Sequence, residues 1–301
     1  MRVSLGIDIG GTFIKGGVVL DDGKLLEFTK IKTPETRGVE ETIEAVLELI
    51  KLLSKGRKIN SVGIASAGCV SKDGVIIFSP NFPSWRSIPL KAILEQELGI
   101  KVIVDNDANA HAFGEHEVGH AKGIDDFILL TLGTGVGGAV FSEGRLIRGS
   151  MGIGGELGHI LVGEEGPTCG CGNIGCLETY ASISGLSKLM KMEGLNEATE
   201  RVSELAKLYK KGEKRALTII EQFKKYLRRA LISYVHIFNP KLIILGGGLS
   251  KDFREILEGL EEEVNERVMP SFRGSFRIAF SFLYEEAGVL GIALIALKDE
   301  R

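Results

Sequence analysis

The sequence predicts a mixed α/β protein of two lobes with a cleft between them, and three observations carry that expectation. Short apolar runs of strand length alternate with long amphipathic helical stretches. A hairpin built on glycine and threonine occurs twice, at a spacing of roughly 120 residues, the mark of an internal repeat. At 301 residues the chain is long enough for one large or two medium domains.

The elements follow in order. Residues 3–9, VSLGIDI, form an apolar strand, Gly10-Gly11-Thr12 turns the chain, and KGGVVL at 15–20 returns as a second strand. After Asp21-Asp22-Gly23 the run KLLEF at 24–28 makes a third. The second copy runs FILLTL at 127–132, the turn Gly133-Thr134-Gly135, GGAVF at 137–141, Ser142-Glu143-Gly144 and RLI at 145–147. Between the copies, GVEETIEAVLELIKLL at 38–53 is a helix with Val39, Ile43, Val46, Ile50 and Leu53 at helical spacing. VIVD at 102–105 is a strand breaking directly into a helix, which puts Asn106 and Asp107 at the helix N-terminus, where dipole and free N–H groups favour an ionised carboxylate. ERVSELAKLYKK at 200–211 and the stretch 213–238 are long amphipathic helices. KLIILGGGLS at 241–250 is a buried strand ending in three glycines, with Ser250 capping the next helix, and AGVLGIALIAL at 287–297 is a helix buried nearly all round. No Pro/Ser-rich linker separates the lobes.

Hydrophobic residues make up 44% and charged residues 26%, with a net charge of -3. That is a globular chain without the broad basic face of a nucleic-acid binder, so small-molecule chemistry is expected. MRVSLGIDIGG holds no apolar stretch of signal-peptide length, and the run at 287–297 is too short to cross a bilayer and is flanked by Glu285, Glu286 and Lys298. No membrane partner and a cytoplasmic location are therefore expected. In a reducing compartment clustered cysteines bind metal more often than they form disulfides, and three of the 4 cysteines crowd into CGCGNIGC at 169–176.

Gly133 to Gly138 satisfies the G-x-G-x-x-G pattern of dinucleotide sites, but that fingerprint requires the glycines to open a helix, and here the strand AVF follows. No Walker A pattern is present. A tight hairpin whose glycine N–H groups and threonine hydroxyl wrap anionic oxygens fits better, with Asp8 nearby to hold a hydrated Mg2+. Two such hairpins facing each other would clamp a triphosphate.

GIDIGGT at 6–12, DNDANA at 105–110, TLGTGVGG at 131–138, GGELGH at 154–159 and CGCGNIGCLE at 169–178 stand in the order found in the ROK family (repressor, open reading frame, kinase). The chain resembles that family over nearly its full length, and its glucokinase branch most closely. The resemblance implies an actin-like, duplicated RNase H-like ATPase fold in which a sugar and Mg-ATP meet in the interlobe cleft. It divides the chain into a small N-terminal α/β lobe, 1–115 with 288–301, and a larger C-terminal one, 116–287, that carries the cysteine loop. On the donor side Asp8, Gly10, Gly11, Thr12, Lys15, Gly133, Thr134 and Gly135 would handle metal and phosphates, with Gly247 and Gly248 against the adenosine.

On the acceptor side Asp107 would take the proton of a sugar hydroxyl as that oxygen attacks the γ-phosphorus. Spacing alone reads Asp107 equally as a helix cap, and Asp105 could compete for the role; the family pattern puts the base at the second carboxylate. Gly68, Asn81, Asn106, Asp107, Glu156, His159 and Glu178 match sugar-contacting positions, although Glu156 or Glu178 taken singly reads as a solvated charge. One stretch departs from pattern: GIASAGCVS at 63–71 has Ala67 in place of the usual proline and Ser71 in place of the aspartate, which bears on loop rigidity, while Cys69 reads as a small buried residue.

His159, Cys169, Cys171 and Cys176 supply one imidazole and three thiolates, the set that suits tetrahedral Zn2+. Four protein ligands leave no open position, so the expected role is structural, pinning the loop of Glu178 to the segment of Glu156, with the second imidazole nitrogen left to face a sugar. The expected activity is ATP-dependent phosphorylation of a hexose 6-hydroxyl, glucose to glucose 6-phosphate. N-acetylmannosamine, N-acetylglucosamine, fructose and mannose remain open as acceptors. A sugar-responsive ROK regulator would need a helix-turn-helix ahead of a hairpin that begins near residue 3. Relatives imply a homo-oligomer, dimer or tetramer.

Overall fold

The computed structural model describes residues 1–195 and 202–298. Glu200 and Arg201, the start of the helix predicted at 200–211, and residues 299–301 of the predicted small lobe lie outside the described residues.

In chain order the first half holds β1 (Val3–Ile9), β2 (Phe13–Leu20), β3 (Leu25–Lys32), α1 (Val39–Ser54), β4 (Ser61–Ser66), β5 (Cys69–Val70), β6 (Ile76–Phe78), β7 (Arg86–Ile88), α2 (Leu90–Leu98), β8 (Val102–Asn106) and α3 (Asp107–Val118). There follow β9 (Phe127–Leu132), β10 (Val136–Ser142), β11 (Arg145–Leu146), a 3-10 turn at Leu157–His159, α4 (Glu178–Ala181), α5 (Ile183–Met192), α6 (Val202–Lys210), α7 (Lys214–Phe238), β12 (Leu242–Gly246), α8 (Gly248–Asp252), α9 (Leu260–Asn265), β13 (Arg277–Phe280) and α10 (Ala287–Lys298).

The repeat seen in the two hairpins extends to whole sheets. One has the order β3-β2-β1-β4-β8 and the other β11-β10-β9-β12-β13, the same third-second-first-fourth-fifth arrangement. In the first, β1 runs antiparallel to β2 and parallel to β4, which is parallel to β8. In the second, β9 runs antiparallel to β10 and parallel to β12, which is parallel to β13. The parallel strands β4 and β12 are buried at every position, as strands covered on both faces must be, and β12 reads as a continuous apolar run in the sequence.

Two compact units emerge: Met1–Gly123 with Leu146–Gly155 and the chain from Leu283 onward, and Ile124–Arg145 with Glu156–Phe282. The sequence places these boundaries near 115 and 288. The first runs later because the chain after α3 folds back on it, the N–H groups of Gly119 and Ala121 both donating to the Glu115 carbonyl. The inclusion of 146–155 in the first unit has no counterpart in the sequence expectation.

The first unit packs Leu5, Ile7, Val46, Leu49, Ile64, Trp85 and Val104 into one core. Its α10 is buried from Ala287 to Leu297 and packs on both the sheet and α3. That approach is close enough to require glycine: a Cβ at Gly6 would overlap the Val289 carbonyl oxygen, and one at Gly291 the Ala110 carbonyl oxygen. The second unit gathers the buried face of α7, including Ile220, Phe223, Leu227 and Leu231, with Leu130, Leu189 and Leu245. Ser250 does not cap the helix after β12; it sits inside α8, whose N-cap is Gly247, and donates its hydroxyl to the Gly247 carbonyl at 2.8 Å. Among the described residues no helix is long and apolar enough to cross a membrane.

Candidate active site

The glycine hairpin of the first unit lies between β1 and β2. Gly10 N–H donates to Phe13 O at 3.1 Å, and the turn is braced by the residue just after β3, as Thr33 Oγ1 donates to Gly10 O at 2.7 Å and Thr33 N–H to Thr12 O at 3.0 Å. Two residues before the turn, Asp8 pairs in register with Lys15, and their side chains meet at 3.2 Å between Oδ2 and Nζ. A carboxylate and an ammonium therefore stand together beside the glycine turn. The first turn of α10 closes over them, since a Cβ at Gly288 would come within 3.3 Å of the Asp8 carboxylate.

At the β8–α3 junction the strand ends on Asn106, which caps α3 by accepting from the N–H groups of Ala108 at 2.8 Å and Asn109 at 3.1 Å. Its amide donates to Gly68 O at 3.0 Å, which ties the junction to the loop after β4. The two flanking aspartates have different surroundings. Asp105 is buried, and its oxygens take Arg148 Nη2 at 2.5 Å, Asn106 N–H at 2.7 Å and Asn109 Nδ2 at 3.0 Å. Asp107 is partly exposed on the first turn of α3, with Oδ1 accepting from Ala108 N–H at 2.9 Å.

Asn81 lies against the hairpin, where a Cβ at Gly11 would reach its side chain at 3.4 Å, and Arg37 donates to its carbonyl at 3.3 Å. The loop that bears it is anchored by the fully buried Phe82 and Trp85, whose ring centroids are 4.9 Å apart. Gly68 has a φ of 106°, a left-handed conformation backed by the Phe78 carbonyl, so only glycine fits. Ser71, at the position of the family's aspartate, forms a turn of its own: its hydroxyl accepts from Val75 N–H at 3.2 Å. Cys69 is partly exposed rather than buried.

In the second unit the hairpin turn joins β9 to β10, with Gly133 N–H donating to Gly135 O at 3.0 Å. The strand after it is the reason that the dinucleotide reading of 133–138 fails. Gly247, with φ 84°, stands against the backbone of Leu132, and Gly248 opens α8 with nothing within 4 Å of where a Cβ would stand.

The ligand atoms of His159, Cys169, Cys171 and Cys176 all lie within 4.8 Å of one another. His159 Nδ1 is 3.5 Å from Cys169 Sγ, and Cys171 and Cys176 have their Sγ atoms 3.6 Å apart. Sulfurs on one tetrahedral zinc stand about 3.8 Å apart, so the set fits that ion with small movements. The other imidazole nitrogen, Nε2, faces Glu156 Oε2 at 3.9 Å. Burial pushes the Cys169 and Cys176 thiols up. Burial also raises Cys171, but the Asn173 N–H and the neighbouring thiols outweigh it and draw that thiol down to about 7. The loop is fastened to α7 by Tyr180, which donates to Glu165 O and stacks on Tyr226, and by Arg229, which donates to Val162 O at 3.0 Å. Glu178 Oε2 accepts from Val136 N–H at 3.0 Å, while Oε1 is 3.5 Å from Cys169 Sγ.

Two groups at these sites carry no signal in the sequence. Arg148 reads as one more surface cation until the fold buries it on Asp105, and Thr33 reads as a strand end until it braces Gly10.

The profile of the ROK family matches residues 4–299. A glucokinase of Thermotoga maritima is 39% identical, over 97% of this chain and 96% of its own. Among solved structures, a ROK family glucokinase from Streptomyces griseus in complex with glucose and AMPPNP has a TM-score of 0.85 at 32% identity, covering 98% of this chain and 99% of that one. The ROK hexokinase from Thermus thermophilus has a TM-score of 0.86 at 33% identity, covering 99% of both chains. The fold is the actin-like ATPase fold of the sugar kinases. With its doubled five-stranded sheet and motifs matched end to end, this chain belongs to the ROK family.

Proposed function

We propose that this chain phosphorylates a hexose at its 6-hydroxyl with ATP, converting glucose to glucose 6-phosphate. The observation that carries the assignment of the base is the division of labour at 105–107. Asp105 is consumed by Arg148, Asn106 and Asn109, whereas Asp107 is partly exposed at the positive end of α3. An ionised carboxylate there can accept the proton of the attacking hydroxyl. Asn81 and Asn106 in the first unit offer polar atoms of the kind that distinguish sugars, and within the second unit Glu156, His159 and Glu178 do the same.

On the donor side, the N–H groups at Gly11, Thr12, Thr134 and Gly135 and the hydroxyls of Thr12 and Thr134 hold phosphate oxygens, the Gly10 and Gly133 N–H groups closing the turns themselves, and Lys15 adds positive charge. Mg2+ arriving with the triphosphate would neutralise charge on the transferring group, with an Asp8 oxygen to receive it. His159, Cys169, Cys171 and Cys176 hold Zn2+ as a closed structural site, which fits the spacing of their ligand atoms.

A coupled assay with ATP and a panel of hexoses, on the wild type and on Asp107→Asn, tests this. The variant keeps the shape of the side chain and removes the base, so kcat should fall by about 100-fold or more. Near-normal turnover in that variant overturns the base, and a large kcat/KM preference for an N-acyl sugar overturns glucose as the acceptor.

A further inference from the structure

We propose that Glu178 is the positioning residue of the phosphate hairpin at 133–136, and that through it the Cys3His loop controls nucleotide affinity. The identity of the ligand rests on the ATP-dependent reading above; the geometry does not.

A turn of Gly133-Thr134-Gly135 has little conformational preference of its own, so its shape must come from what surrounds it. Support for it comes from the cysteine loop and the segment that follows. Glu178 Oε2 accepts from the N–H of Val136, the residue that closes the hairpin opposite Leu132. Ile183 N–H donates to Gly133 O at 2.8 Å, and Ser184 N–H to Thr134 O at 3.2 Å. Gly135 passes so close to the Glu178 carboxylate that a Cβ would overlap it, and a Cβ at Gly158, the neighbour of His159, would overlap the Val136 carbonyl.

The same carboxylate touches the metal-ligand set. Its Oε1 is 3.5 Å from Cys169 Sγ, and α4, which Glu178 opens, is held at its start by Cys176, whose carbonyl accepts from Thr179 N–H at 3.0 Å and Thr179 Oγ1 at 2.7 Å. Cys169 thus touches the Glu178 carboxylate, and Cys176 holds the helix that Glu178 opens. Ligation removes the proton that Cys169 shares with Glu178 Oε1, so the link runs through Cys176: ligation fixes the start of α4, α4 aims the carboxylate, and the carboxylate orders the hairpin. Removing one hydrogen bond to a charged acceptor shifts such an order-disorder balance on the order of 10- to 100-fold, and a ligand that needs the ordered form binds more weakly in proportion.

The test measures AMPPNP binding by calorimetry without sugar, together with amide hydrogen exchange at 133–136, in the zinc-loaded wild type, Glu178→Ala and Glu178→Gln. Glu178→Ala should raise the Kd by about tenfold or more and speed exchange at Val136. The amide oxygen of Glu178→Gln still accepts from Val136 N–H, so both quantities should stay within about threefold of wild type. Stripping zinc from the wild type with a chelator should speed exchange at Val136 as Glu178→Ala does. Unchanged exchange at 133–136 after stripping, or in Glu178→Ala, overturns the proposal; if Glu178→Ala does not fold, the stripped wild type decides. Failure of wild type to bind AMPPNP would sink the donor assignment instead, and the exchange comparison, which needs no nucleotide, would still decide the link.

Discussion

Replacing Arg148 by methionine removes the counter-charge of Asp105 while keeping most of the aliphatic stem. The pair is 2.5 Å apart, with side-chain exposures of 15% and 2%. Breaking a buried pair on one side costs about 3–5 kcal/mol, because the remaining charge is left without its partner. Asp105 keeps the Asn106 N–H and the Asn109 amide, so the cost should fall at the lower end, about 3 kcal/mol. Trp85, the single tryptophan, is fully buried in the same unit, and its fluorescence during urea unfolding reads the change directly. Asp105→Asn in the Arg148→Met background completes the cycle, and a coupling energy of about 2 kcal/mol is expected for groups in direct contact. A single-variant cost below about 1 kcal/mol with no coupling would refute the claim that this pair holds the β8–α3 junction in place. Loss of the pair should also lower kcat if Asp107 is the base as proposed, because the Asn106 N–H that Asp105 holds lies one residue before it.

His111 gives a second prediction. Burial, helped by the charge of Lys15, holds its ring down at about 4, although Glu115 Oε1 lies 3.9 Å from its Nε2. The unfolded chain takes up this proton near pH 6.5 and the folded chain only near pH 4, so this contribution is complete above pH 6.5 and is lost as pH falls toward 4. The loss amounts to about 3 kcal/mol. His111→Gln should flatten that limb of a urea-midpoint curve, and an unchanged slope would exclude His111 as its source. Purified wild type should carry one zinc per chain by elemental analysis, and Cys176→Ser should lose it and melt at a lower temperature; full zinc content in that variant would remove Cys176 from the ligand set.

Local chemistry is legible in the amino-acid order. Each glycine hairpin, the helix start at Asn106 and the Cys3His set, which runs from His159 to Cys176, rest on residues near one another in the chain, and capping, turn and ligand-spacing signals act over that range. The division of roles between Asp105 and Asp107 does not, because it turns on Arg148, 43 residues away in the chain. Glu178 reaching Val136 spans 42 residues. Ser250 carries a capping signal that the fold overrides, because Gly247 at positive φ starts α8 three residues earlier.

What the amino-acid order determined alone was the inventory: two glycine-threonine turns, a carboxylate at a helix start, a Cys3His cluster and strands enough for two sheets. Tertiary structure decided which of these groups are spent on one another and which face outward. A lone charge such as Arg148 leaves the same trace in a sequence whether water or a buried aspartate receives it, and only the path of the chain through space chooses between them.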